Sequence, residues 1–381
     1  MRRSWTILSI FSLSILFASY SSAQTNLSFT TFLIRDDNAF KSRQAYDEWI
    51  NNSIFQIGHQ LSNDKSRLQG YYSADLYSYA SNTDLNSYSH KLTVAAATDV
   101  DDYTFSLSAH ANLRNYREQF IYYNVDRYNM EANLQYNPSL RQFYYAGFRL
   151  NRDEYTEFED LDNVNYELYG KFQRFFQSRL SLTGNVSFCV KNYINQTVLE
   201  YYGIATLRRP FLRFREKPVK AGLLSASVNV GKSLMKSLGL SVALGGQWFI
   251  GDPITAYSQG IYYYTENDLY DDPYSYQGLF ATLQLTKQFG IGFQAKAGIK
   301  FQNKDYAGTP ALDDQGDLLG ETRHDKRNEY FFYVTKKFLT GISFPSSVDL
   351  FLNLMYRKNP SNDPYYDFKD HIGLLGFSVN L

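Results

Sequence analysis

The sequence is poor in the residues that staple or metallate a small fold. Cys189 is the only cysteine, so no intrachain disulfide can form and a cysteine-built metal centre is excluded. No sign of charge is in excess. The 38 basic residues are matched by 38 acidic ones, which argues against bulk nucleic-acid binding, because that needs a net basic surface. After residue 23 there is no run of the ~18 apolar residues that a membrane helix requires, and mean hydropathy is −0.41. A polytopic helical membrane protein is therefore excluded. Tryptophan is scarce as well, with three residues, yet the chain carries 34 Tyr and 29 Phe. An aromatic-rich, helix-poor chain of this kind is either a soluble β-protein or a membrane β-barrel.

Residues 1–23 have the three-part layout of a secretory signal. Arg2 and Arg3 make the positive start, Trp5 to Ala18 is mostly apolar, and Ser21-Ser22-Ala23 supplies small residues for cleavage. The mature chain is expected to run from Gln24 to Leu381 as one barrel domain. Loss of Arg2 and Arg3 takes the formal charge from 0 to −2. No cysteine follows the cleavage site, so a lipid anchor there is not expected.

Apolar and polar residues alternate through the mature chain. Tyr103, Phe105, Leu107, Ala109, Ala111 and Leu113 alternate with Thr104, Ser106, Ser108, His110, Asn112 and Arg114. Leu240 to Ile250, Ile291 to Gln302 and Val348 to Arg357 repeat the pattern. Successive side chains of a strand point to opposite faces, so each segment has one apolar and one polar face. Such runs exceed the ~5–6 residues of a soluble strand and reach the ~9–11 of a membrane-spanning one. The polar faces carry lysine and arginine, which a dry core would not accept unpaired. The polar face is thus expected to line a wet lumen and the apolar face to meet lipid. Backbone groups in lipid must be paired within the protein, so the sheet must close.

Short links near 62–66, 99–102, 137–139, 176–178, 235–238, 289–290 and 340–346 alternate with long polar ones. The long links fall near 36–48, 81–86, 118–123, 153–163, 195–217, 251–273, 305–327 and 358–364. This predicts an all-β, transmembrane antiparallel up-and-down β-barrel of about 16 strands, within about 14 to 18. Both termini then lie on the periplasmic side. The first strand, around Leu27 to Arg35, is the least regular, because Thr30 to Ile34 breaks the alternation. Tyr88, Tyr166, Trp248, Phe301 and Tyr356 fall at outer ends of apolar faces, and Tyr136, Phe176, Phe289 and Phe338 at inner ends, as interfacial girdles would.

The register sets an expected pore lining. Its basic members are Arg114, Arg141, Arg149, Lys171, Lys191, Lys296, Lys300, Lys337 and Arg357, and its acidic members Asp75, Glu131, Glu167 and Asp349. A basic surplus in an aqueous channel favours anions. The 195–217 link, with Arg208, Arg209, Arg213 and Arg215, could fold inward as a constriction or stand outside as an exposed loop or strand extension. Acidic clusters at 154–162, 266–272 and 313–317 lack the spacing of a calcium loop, and neither a metal nor a cofactor is expected. A hydrolase needs a nucleophile beside an oriented base. His371 is turned outward with Leu350, Leu352 and Leu354 as expected neighbours, and Cys189 points to the lumen, so no enzyme is expected.

The last strand reads Gly373-Leu374-Leu375-Gly376-Phe377-Ser378-Val379-Asn380-Leu381, with Leu375, Phe377, Val379 and Leu381 on one face. It resembles the terminal strand of Gram-negative outer-membrane barrel proteins, although those commonly end in Phe or Tyr rather than Leu. The resemblance implies an outer-membrane location in contact with lipid and lipopolysaccharide, and insertion by the barrel-insertion machinery through that strand. It also leaves homo-oligomers open. No plug-bearing transporter is expected, since few residues separate Gln24 from the first strand. Arg35-Asp36-Asp37-Asn38-Ala39-Phe40 faintly resembles a stretch of barrels that help export surface lipoproteins. The functional expectation is a porin-like channel for passive diffusion of small polar solutes, anion-leaning. The alternatives are an occluded surface or assembly barrel that binds a partner, polysaccharide or exported chain through its loops, and a barrel hydrolase.

Overall fold

The computed structural model describes residues 22–39, 43, 45–117, 120–121, 124–157, 159–204, 211–251, 273–340 and 346–381. The side chains of 22–23, 160 and 196–219 are not included in that description. The predicted signal up to Ser21 therefore lies outside it. Sixteen antiparallel strands form one closed barrel in which each pairs with its sequence neighbours and the first pairs with the last. They are β1 (Ser22–Asp36), β2 (Glu48–Ser62), β3 (Ser66–Tyr79), β4 (Ser87–Val100), β5 (Tyr103–Tyr116), β6 (Val125–Ser139), β7 (Gln142–Tyr155) and β8 (Asn163–Phe175), followed by β9 (Leu180–Ile204), β10 (Phe211–Met235), β11 (Leu238–Ile250), β12 (Gly278–Gly290), β13 (Phe293–Leu312), β14 (Leu318–Leu339), β15 (Ser347–Asn359) and β16 (Phe368–Asn380).

The outward face is apolar and exposed, as a lipid-facing surface is. Phe105, Leu107, Phe148, Leu168, Leu244, Leu283, Leu354 and Leu375 all lie open there. Tyr88, Tyr166, Trp248 and Phe301 are exposed on it at the long-link end, and Phe289 and Phe338 at the short-turn end. An apolar depression of about 1080 Å³, bounded by Tyr144, Val186, Val228, Trp248, Leu279 and Phe301, dents this face across β7–β13.

Three expectations change. First, β1 is longer than its alternation suggested, and it includes Ser22 and Ala23, which pair with Ser62 and Leu61. The pattern breaks at Thr30–Ile34 because the inward face is itself apolar there: Phe32 packs on Phe351 with ring centroids 5.5 Å apart. Second, 195–217 and 305–327, read as links, are largely strand, and for 195–217 this is the strand extension named among its alternatives. Among the described residues, beyond Ile194 and Lys220 the strands β9 and β10 pair with each other alone, up to Ile204 and Phe211. The hairpin of β13 and β14 likewise continues past its neighbours to Leu312 and Leu318. The β13–β14 ribbon packs against the 360–366 link and buries Tyr306, Ala311, Arg323 and Asp325, so its apolar and polar residues have no reason to alternate and it reads as a loop. Third, Arg141 lies in the tight turn between β6 and β7, where its carbonyl accepts from the Phe175 amide at 2.8 Å, and not in a strand wall.

Inward-facing glycines and aromatics are matched across strands. A Cβ on Gly147 would run into the Tyr169 ring, and one on Gly245 would run into Phe280. The rings lie flat against the wall over these glycines and project little into the lumen. This close approach is the reason for glycine at both positions.

Candidate functional site: the barrel lumen and its rim

The wall of β6, β7 and β8 places Glu131, Arg149 and Glu167 directly opposite one another. Arg149 is shared between the two acids. Its Nη1 donates to Glu167 Oε2 at 2.6 Å, and its Nη2 and Nε donate to Glu131 Oε2 at 3.2 and 3.3 Å. Tyr169 donates its hydroxyl to Glu131 Oε1 at 2.5 Å and accepts from Asn133 Nδ2 at 2.9 Å. Two carboxylates on one guanidinium leave the triad with one net negative charge. Two residues beyond Tyr169 on the same face, Lys171 extends its Nζ to 5.2 Å from the centre of the Tyr145 ring. A cavity of about 620 Å³ is bounded by the triad, Lys171, Gln247 and Phe280.

A second ion-pair group sits on β13–β16. Arg357 Nε is 3.2 Å from Glu329 Oε1, its Nη1 is 3.6 Å from Asp370 Oδ2, and Lys300 Nζ is 4.0 Å from Glu329 Oε2. The sequence-based lining named Lys300 and Arg357 and missed both acids. Pairing accounts for these cations, so they add little free positive field.

The long-link end narrows through packed links. Gln247 Nε2 donates to the carbonyls of Pro273 and Tyr276 and draws the 273–277 segment inward. There Tyr274 donates to Asn165 Oδ1 at 2.7 Å and packs with Cys189, Tyr193, Ala221 and Leu223. Lys304 lies 4.3 Å from the Tyr276 ring centre. Arg323 is held between the Tyr306 ring at 4.0 Å and the Tyr366 ring at 3.3 Å, with Nε donating to Asp325 Oδ1 at 2.9 Å. Burial pushes the Tyr366 phenol above its ordinary value. Both of these links carry Asp-Pro-Tyr, at 272–274 and 363–365, and both open a short 3-10 turn at the proline.

Three other links share a cap. Asn86 Oδ1 accepts from the Tyr79 amide at 2.6 Å, Asn124 Oδ1 from the Tyr116 amide at 2.6 Å, and Asp162 Oδ1 from the Tyr155 amide at 2.7 Å. Each cap immediately precedes the first residue of the following strand and ties it to the last residue of the preceding one.

The remaining sequence-derived residues are distributed along the wall. Arg114 lies 5.7 Å from the Tyr77 ring centre, Lys296 5.8 Å from that of Tyr333, and Lys191 5.0 and 5.4 Å from those of Tyr193 and Tyr274. Asp75 accepts from Ser89 at 3.4 Å and Asp349 from Asn380 at 3.2 Å. The Lys337 amide is tied to the Gly292 carbonyl at the short-turn end. Arg208 and Arg209 lie outside the described residues. The backbones of Arg213 and Arg215 are in the β9–β10 ribbon, paired with Tyr202 and Glu200.

Hydrolytic chemistry finds little support. His371 faces Tyr356 and not the leucines of β15, and stacks on it with centroids 4.8 Å apart. The leucine neighbours were expected because the β15–β16 stagger is set by the whole sheet, not by either strand. His324 joins Asp305 at 2.8 Å and Thr322 Oγ1 at 3.5 Å, which is the order of a triad. His324 and Asp305 are half exposed on the β13–β14 ribbon, and the threonine contact is at the limit of a hydrogen bond. The trio reads as a ribbon contact. Among the described residues no group of three or more His, Cys, Asp or Glu is arranged to hold a metal ion.

A family model described as surface lipoprotein assembly modifier matches residues 248–379, about a third of the chain. No curated protein matches. Among solved structures, Pseudomonas aeruginosa OccD3 (OpdP) is 9% identical with a TM-score of 0.50, over 95% of this chain and 94% of that one. Pseudomonas aeruginosa OprD is 9% identical with a TM-score of 0.50, over 94% and 95%. OccK1 (OpdK) of the same organism is 11% identical with a TM-score of 0.49, over 94% and 99%. At such identities the likeness is one of fold, and the fold is that of porin-like outer-membrane barrels.

Proposed function

We propose that the chain is an outer-membrane channel through which small polar solutes diffuse passively. The observation that carries this reading is the wet, ionisable inward face of a closed 16-stranded barrel, which bounds a cavity of about 620 Å³ beside the lumen-facing triad. Strands in lipid do not carry arginine and carboxylate inward unless water or a partner is there to meet them. In this reading residues 1–23 are a signal removed on export, both termini are periplasmic, and the terminal strand engages the insertion machinery. Outer-membrane lipid and lipopolysaccharide cover the apolar face, and association of barrels would bury its depression.

The anion lean is carried by Lys171, Lys296 and Lys337, none of which has a carboxylate within 4.0 Å among the described residues. The remaining cations of the expected lining contribute less where they are paired. The test is single-channel conductance of the refolded mature chain in a planar bilayer under a KCl gradient. Steady openings with a chloride-leaning reversal potential are expected, and the lean should shrink in a Lys171→Gln/Lys296→Gln/Lys337→Gln variant. A cation-leaning reversal potential overturns the anion claim, and silence from a folded barrel overturns the channel.

A second reading is an assembly barrel that handles an exported chain. The family-model match over 248–379 supports it, as does the β9–β10 ribbon, whose unpaired edges could add a strand of a partner. A silent barrel that retains a lipoprotein passenger in a pull-down would favour this reading.

A further inference from the structure

We propose that the cavity between the Glu131–Arg149–Glu167 triad and Lys171 is a binding site for zwitterionic solutes of about tripeptide size. The proposal rests on the channel reading and names the substrate class of that lumen. Its basis is a separation of charge along one wall. The triad has one uncompensated negative charge, because Glu131 and Glu167 share one guanidinium. Lys171 has an ammonium close to the Tyr145 ring and no carboxylate within 4.0 Å among the described residues. The two poles therefore face a common space with opposite sign.

Spacing selects the length of the solute. Glu167 and Lys171 are four residues apart on β8, which is roughly 13 Å of strand. A free α-amino acid has its ammonium and carboxylate on one carbon and cannot reach both poles. An extended chain gains about 3.3–3.6 Å per residue, so three residues span about 10 Å. The side chains of Glu167 and Lys171 cover the rest. Asn185 and Ser227 also bound the cavity and can donate to and accept from peptide groups, and Gln247, whose amide nitrogen is held by Pro273 and Tyr276, offers its Oε1 as an acceptor. Phe280 and Tyr145 supply apolar walls. The volume falls in the ordinary range for small-ligand sites. A simple anion would meet repulsion at the triad, and a simple cation would meet it at Lys171. A neutral sugar would make no use of either pole. The bipolar solute satisfies both.

The test compares tri-alanine with N-acetyl-tri-alanine amide, which has the same length and no charge, and with raffinose as a neutral reference. Uptake into proteoliposomes holding the refolded mature chain is expressed as a ratio to raffinose in each variant. In the wild type the tri-alanine ratio should exceed that of the blocked peptide by about fivefold or more, the effect of one screened ion pair at each pole. Lys171→Gln should bring the two peptides together, and Lys171→Arg should keep them apart. Glu131→Gln with Glu167→Gln should also abolish the preference, and it guards against a fold defect in either single-site variant. Equal ratios in the wild type overturn the proposal, as does a preference untouched by Lys171→Gln. Calorimetric titration of tri-alanine into the detergent-solubilised barrel separates the site from the channel. Binding lost in Lys171→Gln with no raffinose entry supports the site and removes the passive channel. Absence of binding in the wild type overturns the site whatever raffinose does.

Discussion

His371, on the last strand, closes on Asp37, one residue beyond the first. The imidazole Nδ1 lies 2.7 Å from Asp37 Oδ2, and the His371 amide donates to Asp37 Oδ1 at 2.6 Å. Next to it, Asp36 Oδ1 accepts from the Asn38 amide, and Asn38 Nδ2 donates to the Lys369 carbonyl. The Asp36-Asp37-Asn38 stretch thus clamps the seam where the barrel shuts. That seam is short, with nine paired positions from Ser28 to Asp36.

Loss of the clamp should loosen the seam. Asp37→Ala removes an acceptor of two hydrogen bonds, worth about 1 kcal/mol each at most given the exposure of the pair. The unfolding temperature on a heat-modifiability gel should fall by a few degrees. His371→Phe keeps the ring against Tyr356, whose centroid is 4.8 Å away. It should lose about half as much, since the backbone amide still reaches Asp37.

Arg149 is shared by two acids on the wall of β6–β8. Arg149→Leu leaves Glu131 and Glu167 facing each other with no cation between them. About 1–2 kcal/mol of stability should be lost, discounted for the water in the lumen. The reversal potential in a KCl gradient should move toward cations. Adding Glu131→Gln and Glu167→Gln should restore stability and carry the reversal potential past the wild-type value toward anions, since the triad goes from one net negative charge to none, and failure of that rescue would show that Arg149 acts by packing alone.

Gly147 lies beneath the Tyr169 ring, and Gly184 meets no atom within 4 Å of an added Cβ. Gly147→Ala must push the ring off the wall and away from Glu131, at about 1–3 kcal/mol. The displaced ring should also lower single-channel conductance. Gly184→Ala should leave both stability and conductance near wild type. Equal effects from the two substitutions would remove the ring-over-glycine account.

Asp162 is held above the ordinary carboxyl value, first by burial and then by nearby Glu154 and Glu159, against the opposing Tyr155 amide. A raised acid binds its proton more tightly in the folded state. Its favourable contribution is present below the unfolded value of about 4 and is lost as pH rises through the folded value. Asp162→Asn keeps the acceptor, as Asn86 and Asn124 do in the corresponding links, and drops the charge. At pH 7 it should unfold at or above the wild-type temperature, with the difference vanishing near pH 3. Asp162→Ala should unfold lower at both.

The closed barrel and its sixteen strands were legible in the order of residues. Alternation over strand-length runs follows from side chains pointing to opposite faces, and lipid on one face with water on the other imposes it on every strand. The same parity put Arg149, Lys171, Glu131 and Glu167 on one face of their strands, and the register sets Arg149 opposite both acids. Parity says which face a side chain takes, and nothing about which strand stands at what height beside it. The sharing of Arg149 by two acids, the capture of Arg357 by Glu329 and Asp370, and the stacking of His371 on Tyr356 depend on stagger between strands, which is settled by the sheet as a whole. The β13–β14 ribbon past Tyr306 has no alternation to read, because it is buried against the 360–366 link and does not lie between lipid and the lumen. The links of the rim escaped notice because their order comes from single contacts, such as Gln247 to Pro273 and Arg323 between Tyr306 and Tyr366, that join residues distant in sequence. Composition and period determined the architecture. Contacts between distant strands decided where charge is cancelled and where it remains, because a net field depends on which charges meet.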